Sequence, residues 1–144
     1  MRPALSFLFA CVVAGCQTAP SEPDPTGLRE TPTSAIVAGQ PFALSVDLWR
    51  DFMPAAPPDG RPLAAVVRLP ENLTTVRVER IWVIFGDQVW GADAEQVPGT
   101  QDWVGRDGPK WGPGIRVDVV ARLREDNGRR VLVRAADRLI QRTD

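Results

Sequence analysis

Histidine and tyrosine are absent from the 144 residues, and the two cysteines, Cys11 and Cys16, both lie near the N-terminus. Without imidazole there is no Ser/His or Cys/His nucleophile system, and an ordinary zinc, copper or haem site lacks its usual ligands. The groups left for chemistry are the Cys16 thiol, the carboxylates and five indoles. Asp87, Asp93, Glu95, Asp102 and Asp107 fall near one another but lack the spacing of a calcium loop. They read as solvated loop charge, with no metal and no cofactor implied. Two carboxylates facing one groove would suit a glycosidase, but a domain of this size has little room for a deep cleft beside its core. The expectation is therefore a protein that is not an enzyme.

Indole faces stack on flat ligands such as sugar rings, so the tryptophans are the next candidates. Trp82 lies in the most apolar run and reads as core, which leaves Trp49, Trp90, Trp103 and Trp111. Residues 99–114 read as one long connection, and long loops on a β scaffold often carry binding. Within it Trp103, Arg106, Lys110 and Trp111 form the candidate binding patch. Gly108, Gly112 and Gly114 match no phosphate-loop or dinucleotide-binding pattern, so they read as a rigid lead into the next strand.

The formal charge of -1, from 17 basic and 18 acidic residues, gives no electrostatic reason to expect nucleic acid. Lys110 is the sole lysine, an arginine skew that fits a GC-rich genome better than anion recognition.

Arg2 is followed by an apolar stretch with Leu5, Phe7, Leu8, Phe9, Val12 and Val13, and then by Ala14 and Gly15. This is the layout of a secretory leader, too short for the roughly 20 residues that cross a bilayer as a helix. Val13-Ala14-Gly15-Cys16 resembles the lipobox of bacterial lipoproteins. That resemblance implies a signal peptide over 1–15, cleavage before Cys16, and acylation of Cys16 with fatty chains of the palmitate kind. Several acyl chains at about 0.8 kcal/mol per buried methylene would make attachment to membrane lipid effectively permanent. Gln17 in place of Asp implies the periplasmic face of the outer membrane if the organism is Gram-negative. Cleavage would remove Arg2 alone among the charged residues, taking the charge from -1 to -2. Residues 16–33, rich in Pro and Thr with Leu28 as the only large apolar side chain, read as a disordered tether about 50 Å long.

Period-two alternation recurs through 34–144. Phe42, Leu44, Val46 and Leu48 share one face of a first strand, and Leu63, Ala65, Val67 and Leu69 one face of a second. Residues 76–85 read as a central strand covered on both sides, turned by Gly86-Asp87 into a short partner. Residues 115–124 give the clearest strand, and Asp126-Asn127-Gly128 returns it into Val131–Val133. Leu132, Ala136, Leu139 and Ile140 also fit helical spacing, though the Asn-Gly turn favours strand. About seven short strands with Pro and Gly turns suggest an all-β immunoglobulin or fibronectin III-like β-sandwich.

The blocks Trp49-Arg50-Asp51-Phe52-Met53-Pro54, Gly108-Pro109-Lys110-Trp111-Gly112-Pro113-Gly114 and Arg134-Ala135-Ala136-Asp137 resemble those of uncharacterised bacterial lipoproteins, a likeness that implies no assigned activity. The functional expectation is an envelope lipoprotein whose β domain is a protein-interaction or structural module with an envelope protein as partner. The alternative is a protease-inhibitor-like module presenting its end loops, residues 54–62 and 103–114.

Overall fold

The computed structural model describes residues 22–144; the leader, the lipobox with Cys16, and the first part of the expected tether lie outside them. A short helix α1 (Pro25–Arg29) precedes β1 (Ser34–Val37), β2 (Gln40–Ala43), β3 (Ser45–Asp51), β4 (Leu63–Arg68) and β5 (Arg77–Phe85). There follow β6 (Gln88–Asp93), β7 (Glu95–Gln96), β8 (Asp102–Gly108), β9 (Arg116–Arg124) and β10 (Arg130–Thr143). The domain is all-β. β1 and β2 form a separate hairpin, and the other eight strands form one sheet in the order β6-β5-β9-β10-β3-β4-β8-β7.

The sheet curls because β10 serves both of its halves. Residues 130–139 of that strand run antiparallel to β9, and residues 140–143 run parallel to β3. At the other margin β6 comes round against β8, where a Cβ on Gly105 would lie 3.2 Å from the Ala92 Cβ and one on Gly108 would lie 2.9 Å from the Trp90 ring. The sheet is thus nearly closed on itself. Its interior holds Leu48, Leu63, Ala65 and Val67 from one half against Ile81, Val83, Val119, Ala121, Leu123, Val131 and Val133 from the other. These are the inward members of alternating runs, and burying them is the main driving force for the fold.

The turns follow their residues. Gly86 and Asp87 alone separate Phe85 from its partner Gln88, and Gly86 has φ 60°, which suits the tight turns that match strand twist. Gly128 (φ 87°) does the same between β9 and β10, and the last segment is strand through Thr143 rather than helix.

Three expectations need correction. The strand expected across 42–49 breaks at Leu44 into β2 and β3. Residues 99–114, read as one loop, contain β8, hidden because Gly105 and Gly108 are placed there by close packing rather than by a turn. Residues 22–33, read as tether, lie along the sheet. Asp24 caps α1 with its side chain, Pro25 starts it, and Leu28 is buried on Trp82, Ile84 and Val120. One apolar side chain is enough here because the central strand presents an apolar patch for it.

Candidate functional site

Arg50 continues the inward series of Phe42, Leu44 and Leu48, and only 3% of it is exposed. Its guanidinium spends its donors on backbone carbonyls of two loops. Nε donates to Arg61 O (2.9 Å), Nη1 to Lys110 O (3.1 Å) and Gly112 O (2.8 Å), and Nη2 to Asp59 O. No carboxylate pairs with it among the described residues. Five donors in a rigid fork suit arginine, and not lysine, to this task. The guanidinium also lies 5.1 Å from the Phe52 ring, with Arg142 4.1 Å from the same ring. Gly60 (φ 78°) is required beneath that ring, because a Cβ there would sit 2.5 Å from Phe52.

The residues 52–62 and 109–114 are therefore one assembled surface. Lys110 Nζ reaches Asp59 Oδ2 at 2.7 Å, and that hydrogen bond holds the Asp59 carboxyl below its usual range. Gly114 N donates to Ile140 O and Phe52 N to Thr143 O, fastening both loops to β10. Trp111 is half-buried and tilted against Phe85, with ring centroids 5.6 Å apart. Met53 is 50% exposed and Phe85 38%, so apolar side chains stand on a rigid base at this end.

Of the four residues singled out in the sequence, only Lys110 and Trp111 belong to this surface. Trp103 lies on β8 opposite Val67, buried in the main core, and its Nε1 has no hydrogen-bond partner. Arg106 is exposed further along the same strand. A strand cannot bring Trp103 and Lys110 together, since it holds its residues about 3.3 Å apart in a line. The residue that sequence reasoning passed over is Arg50. Its signal was parity: it is the one charged residue on the inward face of β3.

A second charged group occupies the opposite end of the strands. Glu79 on β5 accepts from Arg122 Nε at 2.8 Å and Arg130 Nε at 2.9 Å, with Arg124 Nη1 at 3.6 Å. The hydrogen bond from Arg130, joined by that from Arg122, holds its carboxyl below the ordinary range although burial pushes the other way. Beside it is a cavity of about 310 Å³ lined by Arg77, Asp93, Trp103, Arg122 and Arg124. Arg80 and Arg122 flank the Trp82 ring at 5.9 and 5.7 Å, and Trp82 Nε1 donates to Glu22 at 2.7 Å.

A larger, open depression of about 850 Å³ lies between Arg68, Glu71, Gln96 and Thr100, where Arg68 pairs with Asp47 and Asp102, and Gln96 donates to Thr100 O. Its polar lining is largely spent on itself. Asp59 and Glu79 are both held ionised, the opposite of what an acid catalyst acting on a glycosidic bond requires. Among the described residues no three carboxylates gather to hold a metal ion, and no helix is long and apolar enough to cross a membrane. No protein-family model, curated protein or solved structure matches the chain.

Proposed function

We propose that the protein is an envelope lipoprotein, anchored through acylated Cys16, whose β domain binds a protein partner through the loop end clipped by Arg50 and has no catalytic task. The observation that carries the binding reading is the clip itself. A buried guanidinium joins two loops at four carbonyl oxygens, so the surface bearing Met53, Lys110 and Trp111 is formed before any partner arrives. Preorganisation of this kind lowers the entropy cost of association. The anchor rests on the lipobox resemblance and the leader layout, and in a Gram-negative organism Gln17 favours the outer membrane.

The finer fold assignment is an immunoglobulin-like sandwich. In its support, the order β7-β8-β4-β3 corresponds to the D-E-B-A sheet of that architecture and β6-β5-β9-β10 to its C′-C-F-G sheet. The loops of the clipped end would then be the A–B and E–F connections.

The test uses two arms. Labelled fatty acid should enter the wild-type protein in cells and not Cys16→Ser, which should leave the membrane fraction. A photo-crosslinking residue in place of Met53 should capture a discrete partner in intact cells, while one in place of Asp126 at the opposite end should not. Capture from Asp126 alone, or turnover of an envelope substrate by the purified protein, would replace this reading. Inhibition of a protease is a second reading, favoured by the rigidity of 52–62. It requires saturable loss of protease activity that the Met53 substitution weakens.

A further inference from the structure

The register of β5, β9 and β10 places Arg77, Arg80, Arg116, Arg122, Arg124, Arg130 and Arg134 on one outward face, together with Leu132, which is 42% exposed. Arg124 pairs across the sheet with both Arg77 and Arg130, and Arg122 with both Arg80 and Leu132, so these side chains are neighbours. The same three strands contribute three carboxylates to this face, of which Asp137 pairs with Arg116 at 3.5 Å. Glu79 is shared by three arginines, and Asp118 faces Arg29 and Arg134. Asp93 and Glu22 are both taken by Arg80. Arg77 has no ion-pair partner among the described residues, and residues 1–21 contain no Asp or Glu to supply one. A face with positive excess thus stands on a chain whose total charge is negative.

The chain enters the domain on this face. Glu22 is hydrogen-bonded to Arg80 and to Trp82, and α1 continues along the same surface to Thr31, whose carbonyl accepts from Arg134 at 2.9 Å. Six residue steps separate Glu22 from Cys16, and a fully extended chain covers at most about 22 Å in that number. A lipid on Cys16 would therefore hold the arginine face within two or three Debye lengths of the headgroups, in place of the 50 Å expected of an 18-residue tether. At that range even weak attraction acts at high effective concentration. Guanidiniums fork onto phosphate oxygens, and an apolar side chain among them suits the boundary between headgroup and acyl chain.

We infer that the face formed by Arg77, Arg122, Arg124, Arg130 and Leu132 docks on the anionic phospholipid headgroups of the membrane that carries Cys16. The clipped loop end then lies at the far end of the same strands, about 26 Å away along β5. This inference rests on the anchoring reading above.

The test imitates the anchor chemically. A chain beginning at Cys16 keeps every described residue and has one thiol, which is coupled to a maleimide-headgroup lipid in nanodiscs. The discs contain either phosphatidylcholine alone or phosphatidylcholine with about 30% phosphatidylglycerol, plus a gadolinium-chelating lipid. On anionic discs, amide relaxation should be enhanced at 77–80 and 122–132 at least about threefold over 53–60 and 109–114, and 0.5 M salt should remove the contrast. Arg124→Glu with Arg130→Glu should abolish it, whereas Arg106→Glu should not. If those variants fail to fold, the salt and lipid dependence of wild type decides alone. Equal patterns on neutral and anionic discs, a salt-independent pattern, or a loop end nearest the disc overturns the inference. Because coupling is chemical, the result does not depend on acylation in cells. Loss of fatty-acid labelling would sink the anchor, and a flat disc result would sink the docking alone.

Discussion

At one end of the strands a guanidinium is ringed by carbonyl oxygens, and at the other a carboxylate is ringed by guanidiniums. The number of polar contacts is similar, yet the settings differ. Arg50 is buried and its partners are backbone atoms of two loops otherwise joined to each other by the exposed Lys110–Asp59 pair, so its loss leaves several acceptors without their donor. Glu79 has three replaceable partners whose side chains reach solvent, and water or salt can substitute for any of them. Burial and the identity of the partner, more than the count of bonds, decide how much each group holds together.

Four measurements would break or sharpen that contrast. Arg50→Met should cost about 3 kcal/mol in urea denaturation and speed hydrogen exchange across 52–62 and 109–114, with Arg50→Lys recovering only part. A loss below that of the Glu79 variant would invert the comparison. Gly60→Ala should follow at about 2 kcal/mol, because the new Cβ meets the Phe52 ring at 2.5 Å on a backbone with φ 78°. If that variant is neutral, the ring beneath Arg50 is not held in place.

Glu79→Gln should cost less, under about 1 kcal/mol at neutral pH. Its signature is pH dependence. A carboxyl held below its ordinary value of 4.5 contributes stability that is complete above that value and is lost as pH falls through the folded-state value. The gap between wild type and variant should therefore be widest near neutral pH and close as the pH falls below the ordinary carboxylate range, and a constant gap would mean that ionisation of Glu79 is not what the arginines hold. Smallest of all, Lys110→Ala should leave the denaturation midpoint unchanged within error, since the Lys110 and Asp59 side chains are 42% and 68% exposed. A clear shift would show the surface pair sharing the work of Arg50.

The sequence made the strands legible wherever alternation met a turn with a backbone requirement. Gly86-Asp87 and Asn127-Gly128 each mark a real hairpin, and the double-sided run at 81–84 is indeed covered on both faces. β8 was illegible because its glycines answer to neighbours remote in sequence, Ala92 and Trp90, rather than to local turn chemistry. α1 was illegible for a related reason: one leucine carries no periodicity, and its burial depends on Trp82, Ile84 and Val120. Of the candidate site, the loop at 54–62 could be named from composition, and 109–114 only as part of a longer stretch, 103–114, whose first half is strand. What joins them could not, because a charged residue is ordinarily assigned to the surface whatever its parity.

The shared strand β10 also sets the order of events in folding. Ile140 lies beside Leu48, so the first strand of the large sheet gains its second neighbour only from residues 140–143, far along the sequence. β3 can pair with the nearby β4 early, but its other edge stays open until the far end of β10 docks. Contacts so distant in sequence form slowly, and an open edge is a template for pairing with another chain. The folding chain is accordingly most prone to aggregate in the interval before residues 140–143 dock, and a substitution that slows this docking would lengthen the interval.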